Sequence, residues 1–499
     1  MFNSMNADAI FSNSANQNHN ILTNPLLLFL SFIYLAFPVI LFLAGWFRLE
    51  IAAFGIISLL TLTYLLFRSY TGFILTKPSL LFWLVLLICF SWVFLSGVGH
   101  FVYSNRDWLV RDAVLRDLVV QHWPVIYQID SSESLLLRAP LGYYLPAAII
   151  GKLTGVSMAH IALAMWTLLG VLLTLSLIAS FFSSFRYRLI AIFVFIGFSG
   201  LDLIGILLTY NEKLTIIKHL EWWANFFQYS SHTTQLFWVP NHALPGWLGM
   251  LLLLRYWNDS TLVGWFPAIM CAAALWSPLA ALGLIPFYLG YVFVHRQALF
   301  NGWPRLLSIA LLSLPFGLPI AYYLTFNAGT VPGAMLLDAI SGGIFWSHYL
   351  LFVALEFGIL AILLLYFQYS SLPFWIAVAI LIALPFISFG PGNDLAMRAS
   401  IPALVVLALA TAQAFSVHVP SQAPRIAQIG LFLVMLVGAM TAVQEIARSI
   451  IIPRWEPSTS NGILQVAQGA PHYLTLLNAD SLLARMLRRN LDDPFLKSM

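Results

Sequence analysis

PLLLFLSFIYLAFPVILFLAGWF, residues 25–47, holds no charged side chain. About 20 consecutive apolar residues cross the hydrocarbon core of a bilayer as a helix, so this stretch reads as a membrane span. Similar stretches recur near 51–67, 79–98, 158–181, 189–209, 241–257, 262–276, 277–294, 306–326, 348–367, 373–389, 400–416 and 427–446. Only 8% of the 499 residues are charged and 61% are hydrophobic, whereas a soluble domain carries roughly 25% charged residues. So few charges cannot cover a water-facing surface, and lipid must cover most of this one. The expected fold class is all-α: a polytopic transmembrane helical bundle of about thirteen spans, with a long acidic outer loop.

Other classes are excluded on composition. The net charge is +4 and no long basic run exists, which argues against nucleic acid as a partner. Cys89 and Cys271 both lie in apolar stretches, and two such residues make neither a disulfide framework nor a zinc spacing. The first 24 residues form a polar tail rich in Asn and Ser. It lacks the Lys or Arg of a secretory leader, so the first apolar stretch is expected to stay as a helix.

Lys and Arg concentrate in the short cytoplasmic loops of membrane proteins. With Arg68 and Lys77 set inside, Arg186, Arg188, Arg255, the His295–Arg296–Arg305 loop and Arg425 also fall inside. Regions 99–140, 210–240, 327–347, 390–399 and the tail 447–499 then fall outside, bordering a transmembrane domain over 25–446. The segment 141–155, LGYYLPAAIIGKLTG, is short and carries Pro146 and Lys152, so it reads as a re-entrant or interfacial piece. The outer regions are also where acids, histidines and tryptophans gather.

The first outer region contains Asp107, Asp112, Asp117, Asp130 and Glu133, five of the chain's nineteen acids. Asp107 with Arg111 and Asp112 with Arg116 are i,i+4 pairs in the favourable order. Such pairs read as surface ion pairs on an interfacial helix, or as the setting of a general base that deprotonates an acceptor hydroxyl. Three Asp at five-residue intervals step by about 140° and cannot share one helix face. A second cluster, GPGNDLAMRASIPAL at 390–404, follows a Gly-Pro-Gly turn with Asn393, Asp394 and Arg398. The first two fit a helix cap; Arg398 fits a phosphate, since guanidinium matches two phosphate oxygens at once. A third, HLEWWANFFQYSSHTTQLFWVPNHALP at 219–245, carries Asn241 and His242 among tryptophans. The rings serve as interfacial anchors or as a rim for a sugar or lipid headgroup. Its histidines show no ligand spacing, so no metal site is expected. Asp202 and Glu356 stand inside spans, where an ionisable group is a functional candidate.

This layout resembles the GT-C class of glycosyltransferases, polytopic enzymes that use polyprenyl- or dolichyl-phosphate-linked sugars. In that class an essential acid lies in the first large external loop, just after a span. The SNRDW string places Asp107 in that position, soon after the span ending at Ser96–Gly97. RDWLVRDAVLRDL, WVPNHALPGWL and GNDLAMRASIPAL also look like strings of bacterial membrane proteins, which implies the bacterial cytoplasmic membrane. The resemblance implies a membrane glycosyltransferase that moves a sugar from a lipid-linked donor to an envelope glycan, lipid or protein on the outer face. Asp107 would be the base, with Asp117 as the next candidate. Arg398 and Arg138 would hold the donor phosphate, with Asp394, Asn393, Asn241 and His242 beside them. No cofactor is expected, although a divalent cation is compatible with the chemistry. The rival expectation is a transporter or flippase for a lipid-linked glycan, which would use the same polar cavity without breaking a bond.

Overall fold

The computed structural model describes residues 24–69, 79–129, 134–209, 215–224, 227–331, 333–335, 343–367, 371–390, 392–416, 422–466 and 473–488. The polar tail before Asn24, Lys77, Asp130, Glu133 and Pro391 lie outside them. Among the described residues, six helices are long and apolar enough to cross a membrane: Pro25–Trp46, Leu49–Ser69, Val156–Ser180, Phe185–Thr209, Trp346–Leu365 and Arg425–Ile451. A seventh appears if Pro278–Val294 and Arg296–Leu311, bent by 104° at their junction, count as one span. The chain is thus a predominantly helical, multi-pass integral membrane protein.

Other apolar stretches form shorter helices, among them Leu80–Leu95, Leu145–Thr154, Leu262–Trp276 and Ile401–Ser416. A helix of sixteen residues reaches about 24 Å, short of the ~30 Å hydrocarbon core. This is why an expected count near thirteen and the six to seven long helices differ. The 141–155 segment contains one of the short helices, Leu145–Thr154, opened by Pro146 in its first turn. Serines start several helices: Ser79, Ser184 and Ser277 each accept a bond from the backbone N–H three residues on, at 3.2 to 3.4 Å, satisfying a donor that the helix leaves open.

Two helices lose their regular ladder at the same depth. The break between Phe185–Gly197 and Asp202–Thr209 meets a π-helical turn, Ala354–Gly358, where Leu201 N–H donates to Leu355 O at 3.0 Å. Irregular backbone is tolerated at membrane depth when protein buries it, and Asp202 and Glu356 are both buried here.

The region 99–140 is folded rather than an open loop. It contains the helix Trp108–Val120 and the strands Ile126–Gln128 and Ser134–Leu137. These two strands pair antiparallel, and the second also pairs with Leu474–Leu476, with Leu136 opposite Thr475. The C-terminal segment is therefore part of the fold. It also bridges Phe47 to Leu487, and Arg488 N–H donates to Trp46 O at 2.8 Å. Asn327 Nδ2 donates to Leu476 O at 3.0 Å. A second small sheet pairs Gly333–Met335 with Ile387–Phe389. Among the described residues, the turn after the first helix, 99–129, 134–140, 327–331, 333–335, 387–390, 392–394 and the C-terminal segment are thus linked in one layer.

Candidate functional site

The layer is organised around the start of the Trp108–Val120 helix. Asn105 Nδ2 and Trp108 Nε1 both donate to Phe237 O, at 2.8 and 2.9 Å. These bonds tie the helix start to the end of the His232–Trp238 helix. Asn105 Oδ1 accepts the Asp107 N–H at 3.0 Å. The Asp107 carboxylate makes no capping bond and is 45% exposed, so it is left to face a cavity. One turn on, Arg111 is buried; its Nη1 donates to Asp107 O at 3.1 Å and its Nη2 lies 3.5 Å from Asp107 Oδ2.

The five-residue spacing sends the three acids of this helix in three directions, as helical geometry requires. Asp107 lines the cavity. Asp112 turns to His100 and His160. Asp117 accepts from Tyr127 Oη at 2.5 Å, from Arg116 Nη1 at 2.8 Å and from Ile463 N–H at 2.8 Å. Its carboxylate therefore joins the helix to the strand Ile126–Gln128 and to the C-terminal segment, and it does not line the cavity beside Asp107.

Across the cavity, the chain leaves the strand Ile387–Phe389 through Gly390, at φ 85°, and Asn393, at φ 54°. The short helix Asp394–Ala399 follows, and Arg398 Nη2 meets Asp394 Oδ1 at 2.9 Å across one turn. Gly390 is required twice: its φ is left-handed, and a Cβ there would strike the Asp394 carboxylate. Asn241 and His242 occupy the first turn of the helix Pro240–Arg255. Asn241 Nδ2 lies 3.2 Å from His242 Nε2, and His242 Nδ1 lies 2.8 Å from Ser277 Oγ, in hydrogen-bond contact. That serine also caps the next helix, so the imidazole orientation is fixed. Arg138 follows the strand Ser134–Leu137, and its Nη1 donates to Leu324 O at 3.2 Å.

These groups surround two cavities. The first, about 470 Å³, is lined by Asp107, Arg138, Asn241, His242, Asp394 and Arg398. Arg106, Arg111, Tyr144 and Tyr473 join them, and Leu279, Leu282 and Phe389 make an apolar wall. Four guanidinium groups face two carboxylates, so the cavity favours an anion. The second, about 650 Å³, is lined by Trp222, Gln228, Ser230, Trp238 and Asn393. Asp107, Asp394 and Arg398 line both. The only expected site residue away from them is Asp117.

Behind the second cavity lies a buried ionic network. His219 contacts Glu221 at 3.4 Å and Glu445 at 2.9 Å. Burial opposes its charge, but the Glu221 and Glu445 carboxylates outweigh that and push its pKa up to about 10. Arg448 Nη1 meets Glu445 Oε1 at 2.7 Å, and Trp238 Nε1 donates to Glu445 Oε2 at 2.7 Å. Two cations thus balance two carboxylates and hold the Trp238 ring at the cavity wall. Deeper in the bundle, Trp223 Nε1 bridges Asp202 Oδ1 at 3.3 Å and Glu356 Oε1 at 3.1 Å, while Ser199 and Thr441 donate to Asp202. Neither acid lines either cavity.

Sequence reasoning paired Arg111 with Asp107 without placing it in the site, and passed over Tyr144, Tyr473 and the His219 network. The 219–445 pairing carries no local signal, because its members come from segments more than 200 residues apart. No family model matches this chain, and no curated protein and no solved structure matches it either.

Proposed function

We propose that this protein transfers a sugar from a polyprenyl-phosphate-linked donor to an acceptor hydroxyl on an envelope glycan, lipid or protein. The observation that carries the proposal is the meeting of two cavities at Asp107, Asp394 and Arg398. The arginine-rich cavity with an apolar wall suits a lipid phosphate. The cavity with Trp222, Trp238, Gln228 and Ser230 suits a hydroxyl-rich acceptor, since indole faces stack on sugar rings and the polar groups bond hydroxyls. A transporter needs one path; a transferase needs two substrates that meet at a reactive group.

The chemistry then follows from the chain's own residues. Asp107 takes the proton of the acceptor hydroxyl as that oxygen forms its bond to the anomeric carbon. The bond from that carbon to the phosphate oxygen breaks, and polyprenyl phosphate leaves with the electron pair. Arg398 and Arg138 stabilise the charge gathering on the leaving phosphate, an interaction strengthened in a site sheltered from water. Arg111 and the Asn105 bond hold Asp107 in place, and Asp394 orients Arg398.

The same proposal includes the remaining topology. The shorter helices, met by a locally thinned bilayer, complete a bundle of about thirteen crossings, and the cavity layer lies on the outer face of a bacterial cytoplasmic membrane. Purified protein in detergent, given a lipid-phosphate sugar and a cell-envelope acceptor fraction, tests the activity. Release of free polyprenyl phosphate is expected. Movement of intact lipid-linked sugar across proteoliposomes without release would assign the protein to transport instead.

A further inference from the structure

Asp112 points away from the substrate cavities into a buried cluster of three segments. His100 comes from the loop after the helix Leu80–Leu95, Asp112 from the middle of the Trp108–Val120 helix, and His160 from the first turns of Val156–Ser180. All three side chains are buried. His100 Nε2 lies 2.9 Å from Asp112 Oδ2, and His160 Nδ1 lies 3.7 Å from Asp112 Oδ1. Neither Asp112 oxygen and neither His160 nitrogen has a hydrogen-bond partner. One ligand atom from each residue lies within 4.8 Å of the other two.

The proton inventory sharpens this. Ser104 Oγ donates its single hydrogen to Gly97 O at 2.7 Å and lies 3.3 Å from His100 Nδ1. With the serine as acceptor of that contact, Nδ1 would carry the ring proton. In that neutral tautomer Nε2 would direct a lone pair at a carboxylate 2.9 Å away. A lone pair against a buried carboxylate is repulsive, and a buried carboxylate without hydrogen bonds is costly. A cation at its centre, a bound metal ion or the imidazolium of His100 itself, would relieve both.

We infer that His100, Asp112 and His160 form a binding site for one divalent transition-metal ion of the zinc class. Two imidazoles with one carboxylate suit such ions rather than Mg²⁺ or Ca²⁺, which prefer oxygen alone. Ligands about 2.1 Å from a tetrahedral zinc stand about 3.4 Å from one another, and the separations of 2.9 and 3.7 Å from the two imidazoles to the two Asp112 oxygens lie on either side of that value. The Ser104 bond to His100 Nδ1 is the outer contact that orients a ligating histidine. The Trp455 ring packs on His100, with centroids 4.7 Å apart, and its Nε1 donates to Ser104 O at 2.8 Å, closing the site over. Three protein ligands leave a fourth position for water. The ion would clamp the Trp108–Val120 helix, which carries Asp107 and Arg111, to the membrane helix Val156–Ser180. This assignment is independent of the proposed transferase activity.

Zinc content and thermal melting of the purified, detergent-solubilised full chain test it. After incubation with zinc chloride and dialysis against metal-free buffer, one zinc per chain is expected, and a chelator should lower the thermal midpoint. His160→Gln and Asp112→Asn should lose the ion. Ser104→Ala, a milder change, should weaken binding by about tenfold to a hundredfold. His122→Gln, an exposed histidine outside the cluster, should keep it. If the ligand variants fail to fold, cobalt(II) added to the unmodified chain still decides the matter, because a four-coordinate site gives intense visible d–d bands. Less than a tenth of an equivalent of zinc together with absent cobalt bands would overturn the site. So would equal zinc retention in folded His160→Gln.

Discussion

Arg398→Lys keeps a positive charge where the two cavities meet but removes the planar fork that binds two oxygens at once. A side chain that merely reached toward the interface would tolerate the change. A phosphate clamp would not, and donor affinity should fall at least about tenfold, or 1.4 kcal/mol, with little change in thermal stability. Titration of a lipid-phosphate sugar against both purified proteins reads this directly, and equal affinities would remove Arg398 from the phosphate site. His219 supplies a pH test of the wall behind the second cavity. Its pKa, raised to about 10 by Glu221 and Glu445, lies above the ~6.5 of a free imidazole. The stabilisation it contributes is complete below about pH 6.5, declines above it and is gone above about pH 10. The thermal midpoint of the unmodified protein should therefore fall across that window more steeply than that of His219→Gln. Parallel curves would show that the histidine is not charged in the fold.

At the scale of elements, the turn before Asp394 is the most sensitive point. Gly390 is left-handed at φ 85° and lies against the Asp394 carboxylate. Gly390→Ala should cost about 1–2 kcal/mol of backbone strain and displace Asp394 from Arg398. A lower thermal midpoint together with weaker donor binding is expected; an unchanged protein would mean that this turn does not set the Asp394–Arg398 pair. The same elements mark what the sequence could convey. Asp107, Asp394, Arg398, Asn241 and His242 stand out as polar residues next to apolar runs, and the structure gathers all five around one cavity. Asp117 looked equivalent to Asp107 by composition, yet its position on the helix turns it to Tyr127 and Ile463. His100, Asp112 and His160 have no ligand spacing because three segments supply one residue each. The helix break at 198–201 falls inside an apolar stretch whose hydropathy gives no warning of it, whereas the break at His295 coincides with the charged loop read from the sequence. The strand Leu474–Leu476 is three residues long, too short for its alternation to register.

For the molecule as a whole, the layer that links the turn after the first helix, the Trp108–Val120 helix, the two small sheets and the C-terminal segment must face one side of the membrane. With the outward orientation proposed from Lys and Arg, cysteines at Gly392 and Ser460 should react with an impermeant maleimide in intact cells, in a background lacking Cys89 and Cys271. A cysteine at Ser183, beside Arg186 and Arg188, should react only after the membrane is opened. Labelling of Gly392 and Ser460 from opposite sides would contradict the layer itself, and labelling of both only from inside would reverse the orientation.

The most direct test of the proposed transferase activity is single-turnover release of polyprenyl phosphate by Asp107→Asn beside the unmodified protein, with donor affinity and thermal midpoint measured on the same samples. Asn preserves the shape of the side chain and cannot take the acceptor's proton. General-base catalysis is worth about 10²–10⁴-fold, so release should slow by that factor while donor binding and stability stay close to those of the unmodified protein. Undiminished release by a folded Asp107→Asn protein would contradict the assignment of Asp107 as the base at the junction of the two cavities.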